Sequence, residues 1–224
     1  MDKTAFLTRV RAAAHAGRAY RVATREMPPG TGYVGAAGDL CECFASAVNA
    51  VGGQAQIVTD HAAARDALRA LLRHYQVRSA LLWEDHTTLT RLDLQDLLAA
   101  EQVTPHAHAT LHTLAPPQQR AHVLAADIGI TSCEFAIAET GTLVMCSRAG
   151  RERMASLVPP VHVAIVEAAQ IVPDLFDVFA AINSSSLPSN ITLITGPSKT
   201  GDIELQLTTG VHGPKHWHLI VIRK

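Results

Sequence analysis

From residue 39 onward, short apolar runs alternate with longer stretches of helical period, and this alternation constrains the fold more than any other feature. Residues 39–53 (DLCECFASAVNAVGG) read as a helix with Asp39 at its N-cap and Gly52 as its stop. QAQIVT reads as a strand. DHAAARDALRALLRHYQ reads as a helix with Ala64, Leu68, Leu71 and Leu72 on one face. RSALLW is a further strand, and TRLDLQDLLAAE and PPQQRAHVLAA are further helices. Strands that alternate with helices are best served by a parallel sheet covered on both faces.

The middle of the chain departs from that rhythm. ITSCEFAIAETGTLVMCS reads as two strands joined at Thr140-Gly141, a hairpin. HVAIVE is a strand, PDLFDVFAAINSS a helix opening on Pro173, and ITLITG, IELQLT and HLIVI are strands. The expected fold class is α/β: a three-layer α/β/α core, its sheet mostly parallel, with an antiparallel hairpin inserted or appended. Residues 39–224 would form this domain. Residues 1–38 would be an N-terminal helix, with Phe6, Val10 and Ala13 on one face, and an irregular arm. The arm's Arg18, Arg21 and Arg25 read either as a solvated linker or as a partner contact.

Composition excludes several classes. A net charge of −1 gives no basic excess for nucleic acid. No apolar run approaches the length of a transmembrane segment, and the N-terminus lacks a secretory core, so a cytoplasmic protein is expected. Cys41, Cys43, Cys133 and Cys146 form no C-x-x-C and no ferredoxin-like run, so this chain should hold no iron–sulfur cluster. HAHATLH carries His106, His108 and His112, but no one regular element presents all three and no neighbouring carboxylate completes a set. No metal site is assigned there.

Polar chemistry gathers near the C-terminus. The strand ITLI runs into Thr195-Gly196-Pro197-Ser198-Lys199-Thr200. Glycine permits close backbone approach, and the hydroxyls, Lys199 and loop N–H groups would make an anion cradle, or else a turn with ordinary capping hydroxyls. It is not a P-loop, because Asp202-Ile203 stand where Lys-Ser/Thr is required. Asp202, Glu204 and Gln206 alternate with Ile203, Leu205 and Leu207. Period two puts the polar groups on one strand face, either wet or lining a cleft. Glu139 extends the Phe135/Ile137 face just before the hairpin turn, either exposed or held near a pocket. The expected site joins Glu139, Asp202 and His212 as catalytic groups, with Glu139 partly buried at its rim. Thr140, Gly141, Thr142, Gly196, Pro197, Ser198, Lys199, Thr200 and Glu204 would bind the ligand.

Taken in order, ADIGIT…FAIAETGTLV, PPVHVAIV, ITGPSKTGDIE and GVHGPKHWHLIVI resemble the lactate utilization protein C family (LutC/YkgG), which carries the LUD domain. The resemblance is close over about the last 100 residues and follows pattern alone before them. The usual family motif has Arg and Ala where this chain has Lys199 and Gly201. Lysine keeps the charge but loses bidentate geometry. The resemblance implies a fold similar to the NagB/RpiA/CoA-transferase group. It also implies a part in oxidising L-lactate to pyruvate within a three-protein system whose other members carry the iron–sulfur clusters. The alternative is an autonomous enzyme of the same fold group: a sugar-phosphate isomerase, an acyl-CoA transferase or a folate cyclo-ligase.

Overall fold

Asp39 starts the first core helix as expected: its carboxylate accepts hydrogen bonds from the backbone N–H groups of Cys41 and Glu42. Asp60 does the same for the next helix through the N–H of Ala63. In the computed structural model, residues 2–16, 35–84, 86–182, 187–203 and 206–223 are described, those at 201–203 and 206–207 by backbone alone. The chain divides into two units, Met1–Val34 and Gly35–Lys224. The first contains α1 (Lys3–Ala16), and its Arg18, Arg21 and Arg25 lie outside the described residues.

The second unit runs in chain order through α2 (Leu40–Ala50), β1 (Gln54–Val58), α3 (His61–His74), β2 (Ser79–Leu82), α4 (Thr87–Thr90), α5 (Leu94–Ala100), β3 (Thr104–His106), α6 (His108–Leu111), α7 (Pro116–Leu124), β4 (Ile128–Thr131), β5 (Phe135–Ile137), β6 (Thr142–Ser147), α8 (Met154–Leu157), β7 (Val161–Glu167), β8 (Ile171–Val172), α9 (Leu175–Ala181), β9 (Asn190–Ile194), β10 (Lys199–Ile203), β11 (Gln206–Thr209) and β12 (His216–Ile222). Among the described residues, a six-stranded sheet has the order β1-β12-β7-β4-β2-β3, and every pairing in it is parallel. Of its central strands, β4 is buried throughout and β7 as far as Val166, as expected when both faces are covered. The α/β reading therefore holds. The hairpin β5–β6 belongs to a second, four-stranded sheet of order β8-β5-β6-β9.

Three local readings need correction. The run ITSCEFAIA is not one strand: Ile128–Thr131 is a central strand of the parallel sheet, and the hairpin begins only at Phe135. Gly129 hides β4 from propensity, since glycine is poor in strands. It is there because a Cβ would sit 1.6 Å from the Ala155 carbonyl oxygen, so α8 can cross β4 only over a glycine. Second, TRLDLQDLLAAE is interrupted at Asp93, whose φ of 43° separates α4 from α5. Third, the segment after Pro197 is two strands. Lys199 pairs with Thr209 and Ile203 with Gln206 in an antiparallel ladder. The chain therefore reverses between Ile203 and Gln206, so Asp202 and Gln206 stand on two different strands.

Candidate functional site

The structure separates the polar groups into two clefts at opposite ends of the parallel sheet. The residues expected from sequence lie at the amino end. Leu143 pairs with Ile194, which brings the hairpin turn beside the loop after β9. Hydroxyls join the two: Thr140 to Thr142 at 2.7 Å and Thr142 to Thr195 at 2.8 Å. Gly141, with φ of 64°, lets the turn approach the backbone of α2, where a Cβ would lie 2.5 Å from Val48 N. Gly196, Pro197, Ser198 and His212 line a cavity of about 270 Å³ together with His162 and Trp217. So the hairpin turn, the glycine loop and His212 do gather at one end of the fold.

Two of the charged groups expected at that site, Lys199 and Glu139, do not line the cavity. Lys199 Nζ donates to the Val51 carbonyl at 2.5 Å and so caps the C-terminus of α2. Thr200 pairs with Thr208 in the hairpin and is not among the cavity's lining residues. Glu139 is exposed, contrary to the expected partial burial, and does not line the cavity. The Asp202 side chain and all of Glu204 lie outside the described residues. The described lining contains neither lysine nor arginine. It does contain Trp217, 2% exposed, whose indole N–H is buried without a hydrogen-bond partner among the described residues.

The carboxyl end differs. The rule that ligands sit beyond the carboxyl ends of strands applies to the parallel sheet, and β9 is not part of it. In the order β7-β4-β2-β3, the chain leaves β2 toward β3 and later leaves β4 toward β7 on the other side. A crevice therefore opens between the ends of β2 and β4, at the topological switch point. A cleft of about 390 Å³ occupies it. Its walls include His86 after β2, Cys133 and Glu134 after β4, Glu167 at the end of β7, and Arg91, Arg148 and Arg151.

Its charges form a coupled set. Glu134 Oε1 accepts from Arg148 at 2.9 Å and from Arg151 at 2.5 Å. Arg91 Nη1 lies 3.2 Å from both oxygens of Glu167, and His61 Nε2 lies 3.1 Å from Oε1. Three guanidiniums thus face two carboxylates, which leaves positive charge in excess. Glu134 Oε2 is buried with no hydrogen bond among the described residues. His86 Nε2 lies 3.1 Å from the Cys133 carbonyl, which can only accept, so that nitrogen carries the hydrogen. Gln170 donates to the same carbonyl. Burial, and secondarily Glu134, hold the Cys133 thiol far above its ordinary pKa, so it is no nucleophile at neutral pH. The four cysteines are free.

Arg148 also borders an adjoining open cleft of about 820 Å³, lined by His108, Glu152 and Arg153 among others. His108, His112 and Glu152 offer ligand atoms all within 4.8 Å of one another. The carboxylate found lacking near HAHATLH comes from Glu152, far along the chain, which no reading of local spacing could supply. The arginine cleft was likewise invisible, because its groups come from four separate segments. The one available signal was the strand order, which sequence does not give.

The LUD domain family model matches residues 41–222. Lactate utilization protein C of Halalkalibacterium halodurans is 34% identical over 161 residues, 70% of this chain and 67% of the relative. The protein of the same name in Bacillus licheniformis is 40% identical over 102 residues, 43% of this chain and 42% of its own length. Lactate utilization protein B of Bacillus subtilis is 33% identical over 139 residues, 59% of this chain and 26% of its own length. A crystal structure of a DUF162 family protein from Deinococcus radiodurans superposes with a TM-score of 0.57 at 21% identity, over 82% of this chain and 96% of that one. That likeness concerns the fold.

Proposed function

The chain belongs to the LUD domain family, among its lactate utilization protein C members, and from that premise we propose that it serves in lactate utilization as a non-iron–sulfur subunit whose switch-point cleft binds a small carboxylate. The observation that carries the reading is the cleft's arginine set: Arg91, Arg148 and Arg151 against Glu134 and Glu167, at the carboxyl ends of β2, β4 and β7. A guanidinium fork matches a carboxylate bidentately, and an anion that displaces Glu134 from Arg148 keeps every guanidinium paired.

Oxidation of L-lactate to pyruvate releases two electrons and two protons. In this reading the electrons pass to iron–sulfur partner proteins, and this chain, without an iron–sulfur cluster of its own, holds the 2-hydroxy acid or the 2-oxo acid by its carboxylate. No described helix is long and apolar enough to cross a membrane, and a cytoplasmic system is part of the proposal.

Reconstitution tests it. The purified chain alone should not oxidise L-lactate with a dye acceptor. Addition of iron–sulfur partner proteins of the lactate utilization system should give turnover that falls when Arg148 is replaced by Gln. Turnover of a sugar phosphate or an acyl-CoA by the chain alone would instead favour an autonomous enzyme.

A further inference from the structure

We infer that His108, His112 and Glu152 form a binding site for one divalent transition-metal ion of the zinc type. His108 opens α6 and His112 follows its last turn, so the two imidazoles stand four residues apart on one helical face. Their ring centroids are 4.0 Å apart. Glu152 faces them from the segment before α8. Its Oε1 contacts His108 Nδ1, a nitrogen that is buried and makes no hydrogen bond among the described residues. Glu152 meets this nitrogen as an ion-pair partner and not through a hydrogen bond, and an ion bound by both would satisfy it.

The three ligand atoms lie within 4.8 Å of one another. Atoms bound about 2.1 Å from a common ion at tetrahedral angles are about 3.4 Å apart, so small side-chain rotations complete the set. Two imidazoles and one carboxylate suit zinc and its neighbours in the first transition row better than magnesium or calcium, which prefer oxygen.

The surroundings hold these ligands in place. The Trp83 indole N–H donates to the Glu152 backbone carbonyl at 3.1 Å, and Gly150 N–H donates to Glu152 Oε1 at 3.2 Å. Glu84 Oε2 accepts from Ala109 N at 2.9 Å, which fixes the first turn of α6 between the two histidines. His108 and Glu152 also line the 820 Å³ cleft, so the remaining coordination positions would open to a ligand. This inference does not depend on the carboxylate reading of the arginine cleft.

Equilibrium dialysis against Zn²⁺, with Co²⁺ absorption as a second readout, tests it on the full chain. About one ion per chain should bind. His112→Ala and Glu152→Gln should each weaken binding at least about tenfold, while His106→Ala, which alters the neighbouring His106–His122 pair, should retain it. Circular dichroism confirms that each variant is folded. Absence of stoichiometric binding, or binding that survives both His112→Ala and Glu152→Gln, would overturn the assignment.

Discussion

His162 Nε2 and Thr131 Oγ1 lie 2.8 Å apart between adjacent strands of the parallel sheet, with His162 1% exposed. On β12, the strand next to that of His162, His218 Nε2 meets the Tyr75 hydroxyl, also at 2.8 Å. Burial lowers the pKa of His162 to about 3, with a smaller push from His218. Burial, then His216 and His74, lowers that of His218 to about 4. Both imidazoles are neutral in the fold at pH 7 and hydrogen bonded as neutral groups.

This makes stability fall in acid. In the unfolded chain each histidine takes up a proton near pH 6.5, whereas in the fold neither does until about pH 4 or 3. The stabilisation is fully present above about pH 6.5 and is lost as pH falls toward those folded values. Each group contributes a slope of up to about 1.4 kcal/mol per pH unit in that window. Urea unfolding at pH 7.5, 6 and 5 should show the decline. His162→Gln, which can still bond to Thr131, should reduce it by the share of one proton. An unchanged slope in this variant would mean that His162 titrates normally.

Gly129→Ala should be severely destabilising, by at least about 3 kcal/mol, because the new Cβ meets the Ala155 backbone carbonyl at 1.6 Å and no side chain can yield. Thermal unfolding of this variant beside Gly38→Ala separates the effects. At Gly38 a Cβ would meet nothing within 4 Å, so only its φ of 88° opposes substitution. Equal losses in the two variants would remove the steric reading of Gly129.

Lys199→Ala should cost about 0.3–1 kcal/mol through the lost contact with the Val51 carbonyl at the end of α2. High salt should shrink the difference, since Lys199 is exposed. Chemical denaturation of the two proteins at low and high ionic strength checks this. A loss that salt leaves untouched would point to packing rather than charge.

Local signals carried much of the fold. Asp39 announced its helix through capping chemistry that acts within three residues, and the strand–helix alternation pointed to the parallel sheet. Where a residue answers to a distant neighbour, the sequence was silent. Gly129 looks wrong for a strand until Ala155 is placed over it. Lys199 looks like an anion ligand until Val51 takes its donor. The polar alternation at Asp202 reads as one strand, but Lys199–Ile203 and Gln206–Thr209 are two antiparallel strands, and their register shifts between Thr200 and Ile203. The hairpin turn, the glycine loop and His212 could be placed near one another from sequence because each carries its own turn chemistry. Arg91, Arg148 and Arg151 were missed because an arginine on its own is an ordinary surface residue.

Calorimetric titration of the purified chain with pyruvate and with L-lactate decides whether the switch-point cleft is a carboxylate site. The wild type should bind one equivalent, and Arg148→Gln should lower affinity about 10–100-fold, the worth of one charge-assisted bidentate contact. Lys199→Ala should leave affinity within about twofold, because Lys199 Nζ is bonded to the Val51 carbonyl and lines neither the arginine cleft nor the amino-end cavity. The reverse pattern, with affinity lost on Lys199→Ala and kept in Arg148→Gln, would return the site to the Gly196 loop and contradict its placement at the carboxyl ends of the sheet.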